Sequence, residues 1–229
     1  MNTLYTELYS LSHEVTERLE DSKYVDFALQ FNKNYRFLTI GDVLNSNLGG
    51  NLPPYLLRFI GEAGAVMCLP SFLNQSIHAL LLRSLKRKEF RVGLVPHSPP
   101  YRIGSLASDF HYGDLLVCVE GAFDADVLSF IYPNVIASLT AGLSSFHLSI
   151  LPFITDKFLL LFDSDEPGRK AVFRNYSQLK RKGLFPFVGD IYPGDKDPGD
   201  MFSYRQLDKP YDSLRYDFYH NQIYRIISK

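Results

Sequence analysis

The sequence predicts an α/β fold: a mostly parallel sheet flanked by helices, preceded by a smaller α+β subdomain. Three observations carry that expectation. Two short runs, Leu115-Leu116-Val117-Cys118-Val119 and Leu159-Leu160-Leu161-Phe162, have the length and unbroken apolar character of strands buried on both faces. Each run ends in acids: Glu120-Gly121-Ala122-Phe123-Asp124 follows the first, and Asp163-Ser164-Asp165-Glu166 the second. Between residues 113 and 200, strand-like and helix-like stretches alternate, the signature of parallel strands joined by helical crossovers.

The elements follow from local pattern. Leu4, Leu8, Leu11, Val15 and Leu19 recur at helical spacing, which predicts an amphipathic helix over residues 4–20. A second helix is expected over 24–31 and a short one from Thr39 to Leu44. Asn45 to Asn51, with Pro53-Pro54 behind it, reads as loop. Ala65 to Phe90 is β-like, with a turn at Asn74-Gln75 between Val66–Pro70 and Ile77–Arg83. Pro96 to Pro100 is a connection, and Tyr101 to Tyr112 leads into the first acid-bearing strand. Beyond it come a helix from Ala125 to Ile131, a strand from Asn134 to Leu139, a helix from Arg169 to Lys182 and a short strand from Phe185 to Ile191. Residues 211–227 are expected to be helical. These boundaries divide the chain into residues 1–111, 112–204 and a tail, 205–229.

Composition narrows the function classes. Hydrophobic residues make up 46% of the 229 and charged residues 21%, as in an ordinary globular protein with a real core. The net charge of -1 supplies no global attraction to nucleic acid, so any such contact must come from local patches. The apolar stretches are too short to span a membrane and the N-terminus lacks a secretory pattern, so a cytoplasmic protein with no membrane partner is expected. The two cysteines, Cys68 and Cys118, stand fifty residues apart without a Cys-x-x-Cys or Cys/His cluster, so no zinc is expected. The six histidines are scattered and no nucleophile elbow is present.

The acids carry the chemistry. Carboxylates at i and i+2 after a strand can converge on a hard divalent cation. Without such a cation, close like charges repel. Two strands delivering acids from their C-terminal ends is how an open α/β sheet builds a site. Basic residues supply a second signal. Arg83, Lys86, Arg87, Lys88, Arg91 and Arg102 fall within twenty residues that contain a single acid, Glu89, and such clusters hold phosphate backbones. A second block, Arg169, Lys170, Arg174, Lys180, Arg181 and Lys182, follows the Asp163 motif and reads equally well as phosphate-binding or as a solvated helix face.

Together the motifs resemble a TOPRIM domain, the fold shared by bacterial-type primases, type I and II topoisomerases and some nucleases. Glu120-Gly121-x-x-Asp124, Asp163-Ser164-Asp165-Glu166-Pro167-Gly168-Arg169-Lys170-Ala171 and Lys196-Asp197-Pro198-Gly199-Asp200 look most like the three motifs of the bacterial-type primases and of phage helicase–primases. Gly199 stands where some primases carry an acid.

The resemblance implies a DNA primase catalytic core of phage-like type, without zinc-binding or helicase domains, that makes short RNA primers on single-stranded DNA. Glu120, Asp163 and Asp165 would be catalytic. Those three, with Asp124 and Asp197, would hold Mg²⁺ or Mn²⁺. Arg169, Lys170 and Lys196 would meet nucleotide phosphates, and Arg83, Lys86, Arg87, Lys88 and Arg91 would meet DNA. Implied partners are the template, ribonucleoside triphosphates, and a replicative helicase or a separate zinc-bearing subunit, in the host cytoplasm if the protein is phage-encoded. The alternatives are a TOPRIM metal-dependent nuclease and a non-catalytic DNA- or replisome-binding module.

Overall fold

The computed structural model describes residues 6–12, 35–46, 50, 52–73, 76–84, 90–93, 99–189 and 197–198. The expected helix over 24–31, the expected tail helix, Lys86, Arg87, Lys88, Lys196, Gly199 and Asp200 lie outside them. The chain forms two compact units, residues 1–98 and 99–229.

In the first unit, residues 6–12 are helical (α1). They are followed by β1 (Arg36–Thr39), α2 (Ile40–Asn45), α3 (Pro54–Ala63), β2 (Ala65–Leu73), β3 (Ser76–Ser84) and β4 (Phe90–Gly93). The strands form an antiparallel sheet in the order β1-β2-β3-β4. Leu8, Val43, Leu56, Phe59 and Ile60 bury the helices in one core with Val66, Cys68, Leu80 and Leu82. Met67, Leu69 and Leu81 are equally buried, so the sheet is covered on both faces. Pairing with β1 stops at Cys68, so among the described residues β2 has one strand neighbour at Pro70, the situation in which a strand tolerates proline. Helix α3 was not expected from sequence. Pro53-Pro54 reads as loop, yet Pro54 is the first helical residue, where a missing N–H costs nothing, and Gly64 at φ +73 ends the helix.

The second unit contains β5 (Leu115–Val119), α4 (Ala122–Ser129), β6 (Val135–Ala137), α5 (Ser145–Ile150), β7 (Lys157–Leu160), α6 (Glu166–Arg181) and β8 (Phe185–Val188). The sheet order is β6-β5-β7-β8 with every pair parallel. Right-handed crossovers then put α4 on one face and α5 and α6 on the other. The core agrees: Leu148 of α5 and Ala171 and Leu179 of α6 cluster with Leu116, Cys118, Ile136, Phe158 and Leu160, the alternate residues of the strands. The chain leaves β5 toward one face and β7 toward the other. Adjacent strands that part in this way open a crevice at their C-terminal ends.

Residues 99–111, grouped with the N-terminal part by the sequence pattern, are held in this second unit. Tyr101 forms an antiparallel bridge with Ala137 at the edge of β6, and its hydroxyl donates to Asp126 Oδ2 at 2.8 Å. Both cysteines are buried and unpaired with each other, and burial pushes the Cys68 thiol up to about 12.

Candidate active site

Strand β5 hands its last residues to the crevice. Val119 and Glu120 continue the sheet by accepting the amides of Ser138 and Leu139, each at 2.9 Å. The Glu120 side chain is half-buried, and its Oε1 is buried without a hydrogen-bond partner. The backbone amide of Asp163 donates to the same carboxylate, tying the end of β5 to the loop after β7. Gly121 caps α4, and a β-carbon there would collide with Oδ2 of Asp124, so Asp124 folds against the cap.

Past β7, Leu161 and Phe162 are still buried, and Leu161 donates to the Cys118 carbonyl at 2.9 Å. The chain then surfaces at Asp163. Asp165 is the N-cap of α6: its Oδ1 accepts the Gly168 amide at 2.8 Å, and Pro167 lies in the first turn. Gly168 is itself part of the site. A β-carbon on it would overlap the Asp163 carbonyl and stand 3.1 Å from Glu120 Oε1. The Pro-Gly that follows the acids therefore brings the helix backbone against both strand ends.

The electrostatics reflect this crowding. Burial, then the charges of Asp163 and Asp165, push the Glu120 carboxyl up to about 7, against the opposing pull of the Asp163 amide and the Arg174 guanidinium. The acids after β5 and β7 thus act on one another.

A divalent metal fits this chemistry. All the donors are hard oxygens, and one is a buried carboxylate oxygen that no protein donor satisfies. Among the described residues, no three Asp, Glu, His or Cys side chains gather into a ready-made cage. Mg²⁺ commonly binds through one or two carboxylates and keeps several waters, so a cage is not required of it.

The remaining predicted residues are placed as follows. Asp197 is half-buried in the described pair 197–198, after β8. Arg169 is exposed and its Nη1 donates to the Ser164 carbonyl, while Lys170 Nζ pairs with Glu166 at 2.6 Å. Arg83 is a half-buried residue of β3, and Arg91 lies on β4 opposite Leu82. Arg102, counted with the first basic cluster, has another role. Its Nη1 lies 2.7 Å from Oδ1 of the fully buried Asp126, and the arginine is 17% exposed. The sequence pattern did not single out Asn175. A polar residue at a buried position of the α6 stripe, between Ala171 and Leu179, is the signal that could have found it.

Comparison with known proteins agrees with this architecture. Residues 117–202 match the family model described as Toprim-like, which spans both acid motifs. The chain superimposes on the Aquifex aeolicus primase zinc-binding and RNA polymerase domains with a TM-score of 0.63 at 16% identity, covering 91% of this chain and 59% of that one. It matches the E. coli primase catalytic core with a TM-score of 0.63 at 17% identity, over 94% of this chain and 77% of that one. It matches the RNA polymerase domain of Mycobacterium tuberculosis primase DnaG with a TM-score of 0.61 at 18% identity, over 92% and 82%.

The second unit therefore carries a Toprim-like domain. The chain as a whole has the fold of a bacterial-type primase catalytic core, and it spans about 59% of the Aquifex protein's chain. No curated protein matches it. Among the described residues, no helix is long and apolar enough to cross a membrane.

Proposed function

We propose that this chain is the catalytic core of a DNA primase, a nucleotidyltransferase that joins ribonucleotides on a single-stranded DNA template. The observation that carries this reading is the meeting of Glu120 with the Asp163–Asp165 segment at the ends of β5 and β7, within a primase-core fold. Asp163 and Asp165 are the ligands of a divalent ion, Mg²⁺ or Mn²⁺, and Glu120 is a further ligand or the proton acceptor. Asp124 and Asp197 complete or orient this set. When bound, the ion neutralises triphosphate charge and stabilises the attacking and leaving oxygens.

The chain's own residues do the rest. Glu120, half-buried and held by the Asp163 amide, serves as the acceptor of the 3′ hydroxyl proton where it is not itself a ligand. Gly168 lets backbone approach the reacting groups, and Arg169, Lys170 and Lys196 lie in segments that can meet phosphate. Arg83, with Lys86, Arg87, Lys88 and Arg91, forms the basic segment assigned to template. A replicative helicase or a separate zinc-bearing subunit is the protein partner this reading implies, in a cytoplasmic setting.

The test is incorporation of labelled ribonucleotides on single-stranded DNA with Mg²⁺ or Mn²⁺, with wild type and Asp163→Asn side by side. Short RNA products that vanish in the variant are expected. Metal-dependent cutting of the template instead would move the assignment to a nuclease. Silence in both readouts, even with a zinc-bearing partner added, would leave a binding module.

A further inference from the structure

The loop between β6 and α5 joins the acid site to a cation on α6. Asn175 is fully buried and grips this loop twice: Oδ1 accepts the Leu143 amide at 2.9 Å and Nδ2 donates to the Leu143 carbonyl at 3.1 Å. Gly142, at φ +94, lets the loop descend onto the helix. A β-carbon there would overlap Asn175 Oδ1 and stand 2.9 Å from Arg174 Nη2 and 3.1 Å from Ala171 Cβ. Arg174 Nη2 donates to the Ala141 carbonyl.

At its other end the loop is fastened to the acid. Leu139, in the left-handed region at φ +61, donates its amide to the Glu120 carbonyl at 2.9 Å. A leucine held at positive φ shows that its surroundings, not its own preference, set the loop's path. The loop thus spans from Glu120 to Arg174.

Arg174 is exposed, and its bond to Ala141 occupies one of five N–H donors. The other cations of the first turns of α6 are engaged differently, Arg169 with the Ser164 carbonyl and Lys170 with Glu166. A planar guanidinium, fixed by one nitrogen to a loop that is itself bonded to the Glu120 carbonyl, presents the fork geometry that phosphate oxygens take.

From this arrangement we infer that Arg174 is a further phosphate-contacting residue of the acid site, beside those already proposed, and takes the polyphosphate of a nucleoside triphosphate. The inference deepens the primase reading and rests on it for the identity of the nucleotide. Acids and arginine divide the labour: the former hold phosphate through a cation, the latter directly. The loop keeps their spacing constant.

The test is equilibrium binding to the full chain with Mg²⁺, using ATP, inorganic tripolyphosphate, adenosine and a single-stranded oligodeoxynucleotide as separate probes. Arg174→Ala is expected to weaken ATP and tripolyphosphate about tenfold, as loss of a charged hydrogen bond would. Adenosine and oligodeoxynucleotide binding should stay within about twofold of wild type. Arg174→Lys should recover part of the loss. Lys157→Ala, the same charge change at the start of β7 and so at the opposite end of the sheet, should leave polyphosphate binding unchanged.

Wild-type affinity for ATP and tripolyphosphate in a folded Arg174→Ala protein overturns the inference. So does absence of polyphosphate binding in wild type, a loss shared equally by adenosine, or a loss that falls on the oligodeoxynucleotide alone. Primer synthesis scored separately tells the two readings apart. Arg174-dependent polyphosphate binding without synthesis sinks the primase assignment only, and synthesis with unchanged polyphosphate binding in the variant sinks the role of Arg174 only.

Discussion

Gly168 closes on Glu120: a β-carbon on this first-turn residue of α6 would stand 3.1 Å from Oε1 of the glutamate and overlap the carbonyl of Asp163. The helix backbone here meets the backbone of one strand end, at Asp163, and the carboxylate that leaves the other, at Glu120. Gly168→Ala should therefore lever the start of α6 away from the acids, at about 2 kcal/mol, typical of overpacking against groups that cannot yield. A thermal melt checks this, and an unchanged midpoint would show that the contact is loose.

The crowding of acids gives stability a pH dependence. The Glu120 carboxyl is raised from 4.5 to about 7, so between those values the folded protein holds a proton that the unfolded chain releases. The contribution of this group to stability is therefore full below about 4.5 and is lost as pH rises through about 7. The full shift would correspond to about 3 kcal/mol, and partial exposure to solvent reduces it to about 1–2 kcal/mol. Glu120→Gln removes the titration and should be more stable than wild type at pH 8 by about that margin, with the two converging at about pH 4. Urea melts at the two pH values without metal would show it; parallel behaviour of the two proteins would refute the coupling.

Arg102 should behave as a structural residue. It pairs at 2.7 Å with Asp126, which is fully buried and also bonded by Tyr101. Removing one member of a buried pair leaves the other charge uncompensated, so Arg102→Ala should cost about 3 kcal/mol. Binding of the folded variant to single-stranded DNA should be nearly unaltered. A large loss of DNA affinity with normal stability would return Arg102 to the basic cluster.

That example shows where sequence pattern reaches and where it stops. The strand Leu115–Val119 was legible because burial on both faces demands an unbroken apolar run. The run expected at Leu159–Phe162 marks the next strand, which begins two residues earlier, at the exposed Lys157, and ends at Leu160. The acids after both mark a crevice whatever the surroundings. The pairing of β2 with β3 was legible from their apolar runs, while the turn expected at Asn74-Gln75 lies outside the described residues. Helix α3 was hidden by Pro54, since proline breaks a helix interior but starts a first turn. Strands β1 and β4 have four residues each, too few for a periodicity. The Arg102–Asp126 pair joins residues 24 apart in sequence, and nothing local tells a paired arginine from one facing phosphate. Arg174 had the same ambiguity until the loop beside it was visible.

Asp165 combines two roles that one pair of substitutions can separate. As the N-cap of α6 it accepts the Gly168 amide at 2.8 Å, and in the proposed reaction it binds metal. Asparagine is as good a cap as aspartate, so Asp165→Asn should fold with stability within about 0.5 kcal/mol of wild type, while Asp165→Ala should lose about 1 kcal/mol. The charge, by contrast, is gone in both. Mg²⁺ at ten times its dissociation constant should stabilise wild type by about 1.4 kcal/mol, raising the melting midpoint by a few degrees, and should raise neither variant comparably. If Asp165→Asn responds to Mg²⁺ as wild type does, Asp165 is a cap only, and the metal must rest on Asp163 and Glu120.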